Sequence, residues 1–326
     1  MKVLVIRFSS IGDIVLTFPV LRCIKEQLPN SEIHLVTKRG FSELIGASES
    51  VDQCHLLGNS LADMAKQLKD QNFDVVIDLH NNLRSRILCF QLGVKRTYHF
   101  RKLNFLKWIL VRFKRNYLPK IHVVDRYFDT VKSIGVSNDG KNNSFFIHLD
   151  SNIQEELKLQ DKNYMAIAIG AQFETKQIPI IKLKEIISKI EIPIVLLGGK
   201  MDIQKSNTLI RMHPDKNIIN ACGKYSLIES AAIMEKSKMV LTGDTGLMHI
   251  AACFDIPIFV IWGNTTPYFG MSTYKPEGNS SVHNFEVQNL SCRPCSKIGY
   301  HECPKGHFKC MMAQDSAFIA SEINRN

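Results

Sequence analysis

Short apolar runs alternate with amphipathic stretches along nearly the whole chain. Lys2 to Arg7 (KVLVIR), Glu32 to Thr37, Gln53 to Leu57 and Phe73 to Leu79 (FDVVIDL) read as buried strands, each followed by a polar or helical segment. After the first run, Ile14, Leu16, Val20, Leu21, Ile24 and Leu28 fall on helical spacing, and Val124 to Ile134 reads as another helix. Ser144 to Leu149 is expected to be the last strand of this half. The rhythm then restarts. Tyr164 to Ile169, Ile192 to Leu197, Asn217 to Ile219, Met239 to Leu241 and Ile256 to Trp262 are strand-like, Ile180 to Ile190 is helical, and Gln314 to Ile323 reads as a terminal helix.

Strands alternating with helices predict parallel sheets. Leu149 to Asn163 (LDSNIQEELKLQDKN) turns polar and mixed in charge, which suits a linker. The expected organisation is therefore two domains, 1–155 and 156–326, built as facing Rossmann-like α/β units with a ligand cleft between them. The 326 residues are enough for two cores.

In such sheets ligands bind at the carboxyl ends of the strands, so the loops there are the places to look for chemistry. The first strand runs into Phe8-Ser9-Ser10-Ile11-Gly12-Asp13, which puts Asp13 at or just before a helix start. As an N-cap alone Asp13 would need no further explanation, but Ser9, Ser10 and Gly12 crowd the same turn. After Phe73 to Leu79 comes His80-Asn81-Asn82-Leu83-Arg84-Ser85-Arg86, where Arg84 and Arg86 either face that edge or line a solvated helix. In the second half, Gly198-Gly199-Lys200-Met201-Asp202 places an acid where ribose hydroxyls can donate to it. The richest stretch is Thr242-Gly243-Asp244-Thr245-Gly246-Leu247-Met248-His249. Its glycines permit a tight turn, and the helix starting near Gly246 offers free N–H groups and a positive dipole end to an anion. Asp244, Thr245 and His249 add side-chain donors and acceptors. A plain helix start capped by Asp or Thr is the bland alternative.

Charge alters the picture of the first half. Of a net +10, the window from Arg84 to Lys132 carries +11, with thirteen Lys and Arg against Asp125 and Asp129 only. Within it, residues 101–115 (RKLNFLKWILVRFKR) mix Phe105, Trp108 and Phe113 with Lys107, Arg112, Lys114 and Arg115. Such a helix suits an anionic membrane surface, or packs on its own domain with a basic outer face. No spacing of an RNA- or DNA-reading module accompanies it, so no nucleic-acid partner is expected. Neither a signal-peptide pattern nor an apolar run long enough to span a bilayer is seen, and the expected location is cytoplasmic.

Nine cysteines fit a reducing compartment. Cys292, Cys295, Cys303 and Cys310, with His301 and His307 interleaved, form C-x2-C-x7-C-x6-C, compatible with zinc or with reduced structural thiols. The second pair does not repeat the C-x2-C knuckle, and no metal ligand is assigned.

Taken together these stretches resemble one family, glycosyltransferase family 9, the ADP-heptose:lipopolysaccharide heptosyltransferases, in particular their heptosyltransferase II branch. Ser9 to Asp13 resembles the family's N-terminal turn, Asp78 to Ser85 its D-x5-R/K-S loop, and Gly170 to Pro179 its G-A-x4-K-x-W-P loop, with Ile178 where Trp is usual. Thr242 to Ala252 resembles D-T-G-x-x-H-x-A-A, Gly263 to Pro267 the loop that follows, and the cysteine block with Pro-Lys-Gly-His that of the heptosyltransferase II branch.

The resemblance implies a GT-B fold and an inverting transfer of a sugar, heptose by kinship, from a nucleotide diphosphate donor such as ADP-heptose to the lipopolysaccharide inner core. It implies Asp13 as the base and Lys176, Asp202, Thr242, Asp244, Thr245, Gly246 and His249 around the donor. Ser10, Gly12, Arg84 and Arg86 are the candidates for acceptor contact. The chemistry agrees. A sugar hydroxyl needs a carboxylate to take its proton, and a leaving diphosphate needs fixed cations and N–H donors. A helix N-terminus favours an ionised Asp13. No D-x-D occurs in the sequence, so an all-protein diphosphate clamp without a required cofactor is expected. The basic window would attract an anionic, lipid-linked acceptor at the inner leaflet, where the protein would sit peripherally. Alternatives are an epimerase or hydrolase acting on a nucleotide sugar, or a non-catalytic binding module. A nicotinamide dehydrogenase lacks its G-x-G-x-x-G here.

Overall fold

The computed structural model describes residues 1–144, 152–160, 162–278 and 282–326. It divides into two compact units. Among the described residues the first carries a five-stranded parallel sheet of β1 (Lys2–Ile6), β2 (Glu32–Lys38), β3 (Gln53–Leu57), β4 (Val75–Asp78) and β5 (Thr97–His99). Its order is β3-β2-β1-β4-β5, with Ile6 beside Val36 on one side and Asp78 on the other. The second has six parallel strands, β6 (Met165–Ala168), β7 (Ile194–Leu197), β8 (Ile218–Asn220), β9 (Met239–Gly243), β10 (Ile258–Trp262) and β11 (Val282–Glu286), in the order β11-β10-β9-β6-β7-β8. Both are the parallel α/β sheets that the alternation predicts.

The central strands β1, β4, β6, β7, β9 and β10 are buried on both faces, which is why they read as unbroken apolar runs. In the first unit Leu4, Ile6, Val36 and Val76 pack with Leu68, Leu88 and Phe73. In the second, Ile167, Leu196, Leu241 and Ile261 pack with Leu183, Ile186 and Ile319 from flanking helices.

Several boundaries differ from the sequence reading for identifiable reasons. The first amphipathic stretch is two helices, Ile11–Val15 and Phe18–Gln27, because Pro19 stands in the first turn of the second and Thr17 donates its hydroxyl to Ile14 O at 2.6 Å. The Val124 to Ile134 stretch is an α-helix over Val123–Val131 that tightens to a 3-10 turn at Lys132–Ile134. The expected strand at Ser144 to Leu149 lies outside the described residues except for Ser144. Within the expected linker, Asn152–Leu157 is helical.

The units are not two consecutive halves. Residues 104–119 belong to the second unit, and Tyr274–Glu277 returns to the first. Lys114 Nζ donates to Pro294 O at 2.7 Å, which fixes the Asn104–Phe113 helix on the second unit. In the first unit Asn138 donates to the Tyr274 hydroxyl at 2.9 Å, and Asn142 N to the Glu277 carboxylate at 3.2 Å.

Candidate active site

In the first unit the loops after the neighbouring strands β1 and β4 are tied together by one buried cation. Arg7 is only 6% exposed. Its Nε donates to Ser9 O at 2.9 Å, its Nη1 to Leu79 O at 2.5 Å, and its Nη2 pairs with Asp13 Oδ1 at 2.5 Å. The other Asp13 oxygen accepts from Ser10 Oγ at 2.8 Å and Ser10 N at 3.4 Å. Asp13 therefore lies in the first turn of Ile11–Val15 and reaches back to its cap, while its side chain stays 22% exposed. Gly12 is buried in the same turn. Burial is the largest influence on Arg7 and opposes its charge, but the neighbouring Asp13 outweighs it with Tyr127, so the guanidinium pKa is raised.

The loop after β4 is organised on Asp78, which is fully buried. One oxygen accepts from the backbone N–H of His80 (3.0 Å) and Asn81 (2.7 Å), and the other from Ser85 Oγ at 2.8 Å, with His99 Nδ1 at 3.1 Å. Asn82 and Ser85 then cap the helix Leu83–Leu92 reciprocally. Arg84 and Arg86 are exposed on that helix, and Arg86 Nε donates to Asn81 Oδ1 at 2.8 Å.

In the second unit the loops after β6, β9 and β10 meet on the Asp244 carboxylate. Lys176 Nζ lies 2.8 Å from Asp244 Oδ2, and Thr265 Oγ1 donates to the same oxygen at 2.7 Å. Gly243 is needed at the end of β9, where a Cβ would stand 2.4 Å from Lys176 O. Thr242 is buried, its hydroxyl 3.2 Å from that of Thr245, and Thr245 accepts from Met248 N at 3.4 Å to cap the helix Gly246–Ala251. His249 on that helix is buried as well. Asp202 accepts from Gly199 N at 2.8 Å and faces Gly170, where a Cβ would lie 2.1 Å from Asp202 Oδ2. Lys205 anchors the loop after β6 from below, donating to Ile169 O and Ile178 O at 3.0 Å and to Gln177 Oε1 at 3.2 Å. Burial lowers its pKa to about 8. Ile178, at the position of the family's usual Trp, is a core residue.

Each unit thus assembles its candidates at the carboxyl ends of its strands: Asp13 with Ser10 in one, Lys176 with Asp244 and Thr242 with Thr245 in the other. Sequence reasoning missed the side chains that hold them. Arg7 reads as the end of a strand, and a charged residue closing an apolar run was its one signal. Arg293 donates its Nε to Gly263 O at 2.8 Å and its Nη2 to Thr265 O at 2.9 Å and also pairs with the Glu286 carboxylate at the end of β11, partners that only folding brings near.

The nine cysteines are unpaired by disulfides. Cys295 and Cys310 are pushed up by burial and then by the other late thiols, Cys310 to about 12, and Cys292 Sγ lies 3.9 Å from His307 Nε2. The ligand atoms that converge within 4.8 Å among the described residues are instead those of Asp78, Cys89 and His99. There the Asp78 oxygens are already occupied by the donors of its own loop.

Two parallel-sheet Rossmann-like units are the GT-B architecture of nucleotide-sugar glycosyltransferases. The profile of "Glycosyltransferase family 9 (heptosyltransferase)" matches residues 61–303, and the chain belongs to that family and is a glycosyltransferase. It is 23% identical over 305 residues to lipooligosaccharide heptosyltransferase 2 of Haemophilus influenzae, covering 82% of this chain and 85% of the relative. Its fold is that of the family 9 glycosyl transferase of Veillonella parvula (TM-score 0.79, 20% identity, 99% of this chain and 96% of the other). It also matches Escherichia coli ADP-heptose lps heptosyltransferase II (TM-score 0.74, 17% identity, 100% and 98%).

Proposed function

We propose that this glycosyltransferase moves a heptosyl group from an ADP-heptose-like donor to the lipopolysaccharide inner core, with inversion at the anomeric carbon. In this reading an acceptor hydroxyl forms the new bond to the anomeric carbon, Asp13 takes its proton, and the nucleoside diphosphate leaves. Arg7 and Ser10 hold the Asp13 carboxylate in one orientation. Lys176 and the N–H groups around Thr245 and Gly246 receive the developing diphosphate charge, and Asp244 with Thr265 keeps Lys176 aimed. Asp202 takes the ribose hydroxyls, and Thr242 and His249 belong to the same donor-binding turn. Ser10, Gly12, Arg84 and Arg86 meet the anionic acceptor, at the cytoplasmic face of the inner membrane. No metal is assigned a step.

The observation that carries this reading is the Asp13 carboxylate, fixed by Arg7 and Ser10 at a strand end yet 22% exposed. The relatives' names, heptosyltransferases of lipooligosaccharide and lipopolysaccharide, support the donor and acceptor classes. The test is diphosphate release from a panel of nucleotide sugars with and without a lipid A inner-core acceptor. Release with ADP-heptose that requires acceptor, lost in Asp13→Asn, is the expected result. Release independent of acceptor would point instead to hydrolysis or epimerisation, and another responding donor would reassign the sugar.

A further inference from the structure

From Leu79 to Val124 the chain contains eleven Lys and Arg and not one Asp or Glu. Polar surface of one sign ordinarily surrounds a helix whose apolar side is buried. Here the apolar side is outside too. In the helix Asn104–Phe113 only Leu110 is buried, while Phe105, Trp108 and Phe113 are 69%, 48% and 57% exposed. Their rings form a cluster of their own, Phe105 stacked on Trp108 at 6.0 Å and Phe113 edge-on to Trp108 at 5.5 Å. In the first unit the helix Leu83–Leu92 repeats the pattern: Leu83, Ile87 and Phe90, at i, i+4 and i+7, form an outward stripe, with Leu83 76% and Phe90 87% exposed beside Arg84 and Arg86.

We propose that the Asn104–Phe113 helix is a bilayer anchor for anionic lipid, inserting Phe105, Trp108 and Phe113 among the acyl chains while Arg112 and Arg115 meet the headgroups. The Leu83, Ile87 and Phe90 stripe is a second contact of the same kind. This deepens the membrane-surface reading above and rests on it. Two features commit the surface to a lipid occupant. A polyanion such as nucleic acid would be satisfied by the cations and has no use for exposed Leu83 and Phe90, whereas an anionic bilayer takes both charge and apolar rings. Trp108 is of the type that settles at the membrane–water interface, and Phe105 and Phe113 packed against it suit the boundary where headgroups give way to acyl chains. No helix among the described residues is long and apolar enough to cross a membrane, so the contact is interfacial.

The helix is clamped to the second unit. Lys114 bonds to Pro294 O, and Lys107 Nζ lies 5.5 Å from the centre of the Phe269 ring. The anchor would therefore fasten the donor-holding unit, although the sequence places this segment among first-unit residues.

The chain carries its own probe, since Trp108 is half exposed and Trp262, its only other tryptophan, is buried at 1%. The full-length protein would be mixed with vesicles of phosphatidylglycerol and phosphatidylethanolamine, or of phosphatidylcholine alone. Expected with the anionic vesicles are a blue shift of Trp emission, quenching by brominated acyl chains, and loss of both signals in Trp108→Phe, which still co-sediments. Phe105→Ser with Phe113→Ser should weaken partitioning by about tenfold or more and leave transfer to a water-soluble, deacylated acceptor unchanged. Sedimentation without a Trp108 shift, equal binding to phosphatidylcholine, or preference for a single-stranded oligonucleotide would overturn the proposal. The vesicle results stand whether or not sugar transfer is found, so the two readings fail separately.

Discussion

Arg7 and Asp13 stand 2.5 Å apart across a single turn, and the arginine is the more deeply buried of the two. Because Arg7 also donates to Ser9 O and Leu79 O, the pair sets the position of the carboxylate and joins the loops after β1 and β4. Its two members should therefore respond differently to substitution.

For Asp13, the isosteric change is the informative one. Asp13→Asn keeps an oxygen facing Arg7 but removes the base, and acceptor-dependent diphosphate release should fall by roughly 10²–10⁴-fold with little loss of structure. Both changes remove the counter-charge of the buried Arg7 guanidinium, but Asp13→Ala also removes the side-chain oxygens that accept from Arg7 and Ser10. The remaining carbonyl partners put its cost near the low end of the ~3–5 kcal/mol typical of such truncations. Urea unfolding of both variants separates the two effects.

Arg7 is a positioning residue whose charge also favours the ionised form of its neighbour. In Arg7→Met the acid limb of the kcat/KM against pH profile should move to higher pH and kcat should fall, and Arg7→Lys should restore the limb in part. An unmoved limb with a uniformly lower rate would mean that Arg7 only braces the fold.

On the donor side, Lys176→Ala should raise the donor KM by about tenfold or more as an aimed cation is lost. Gly243→Ala, which adds one methyl group against Lys176 O, should displace Lys176 from Asp244 and give a similar rise without touching any charged group. Titration of the nucleoside diphosphate by calorimetry checks both.

Much of this arrangement could be read beforehand, for physical reasons. Strands buried on both faces, such as Val3–Ile6 or Ile258–Trp262, announce themselves as apolar runs, and the loops after them inherit their place at the ligand edge. The strands that were missed are at sheet edges. Thr97–His99 is three residues long, and Val282–Glu286 (VHNFE) is mostly polar, with β10 supporting it through Trp262 Nε1 to Asn284 Oδ1 at 2.8 Å. Arg7 and Arg293 were missed because their partners include backbone carbonyls brought near only by folding.

Acid should weaken the first unit in a defined window. Burial, with Arg7 and Lys102 beside His80 and with His34 and Lys2 beside His55, lowers both imidazoles to about 4. The unfolded chain binds these protons from about pH 6.5 downward, so between roughly pH 6.5 and 4 the unfolded state holds more protons and stability falls as pH falls. Above that window these groups add no pH dependence. Thermal unfolding from pH 7.5 to 4.5 should show the decline, and His55→Gln with His80→Gln should flatten it.

The return of Tyr274–Glu277 to the first unit bears on how the protein is made. On the ribosome, the strands β1 to β5 emerge long before the segment that bonds to Asn138 and Asn142, because β6 to β10 are synthesised in between. The first unit is therefore completed only after most of the second has left the exit tunnel. An amino-terminal fragment ending in the polar stretch near residue 155 would lack that clasp, and its carboxy-terminal counterpart would lack the Asn104–Phe113 helix. Fragments for study, or hybrids that exchange acceptor halves between relatives, have to be cut along these contacts rather than at the apparent linker.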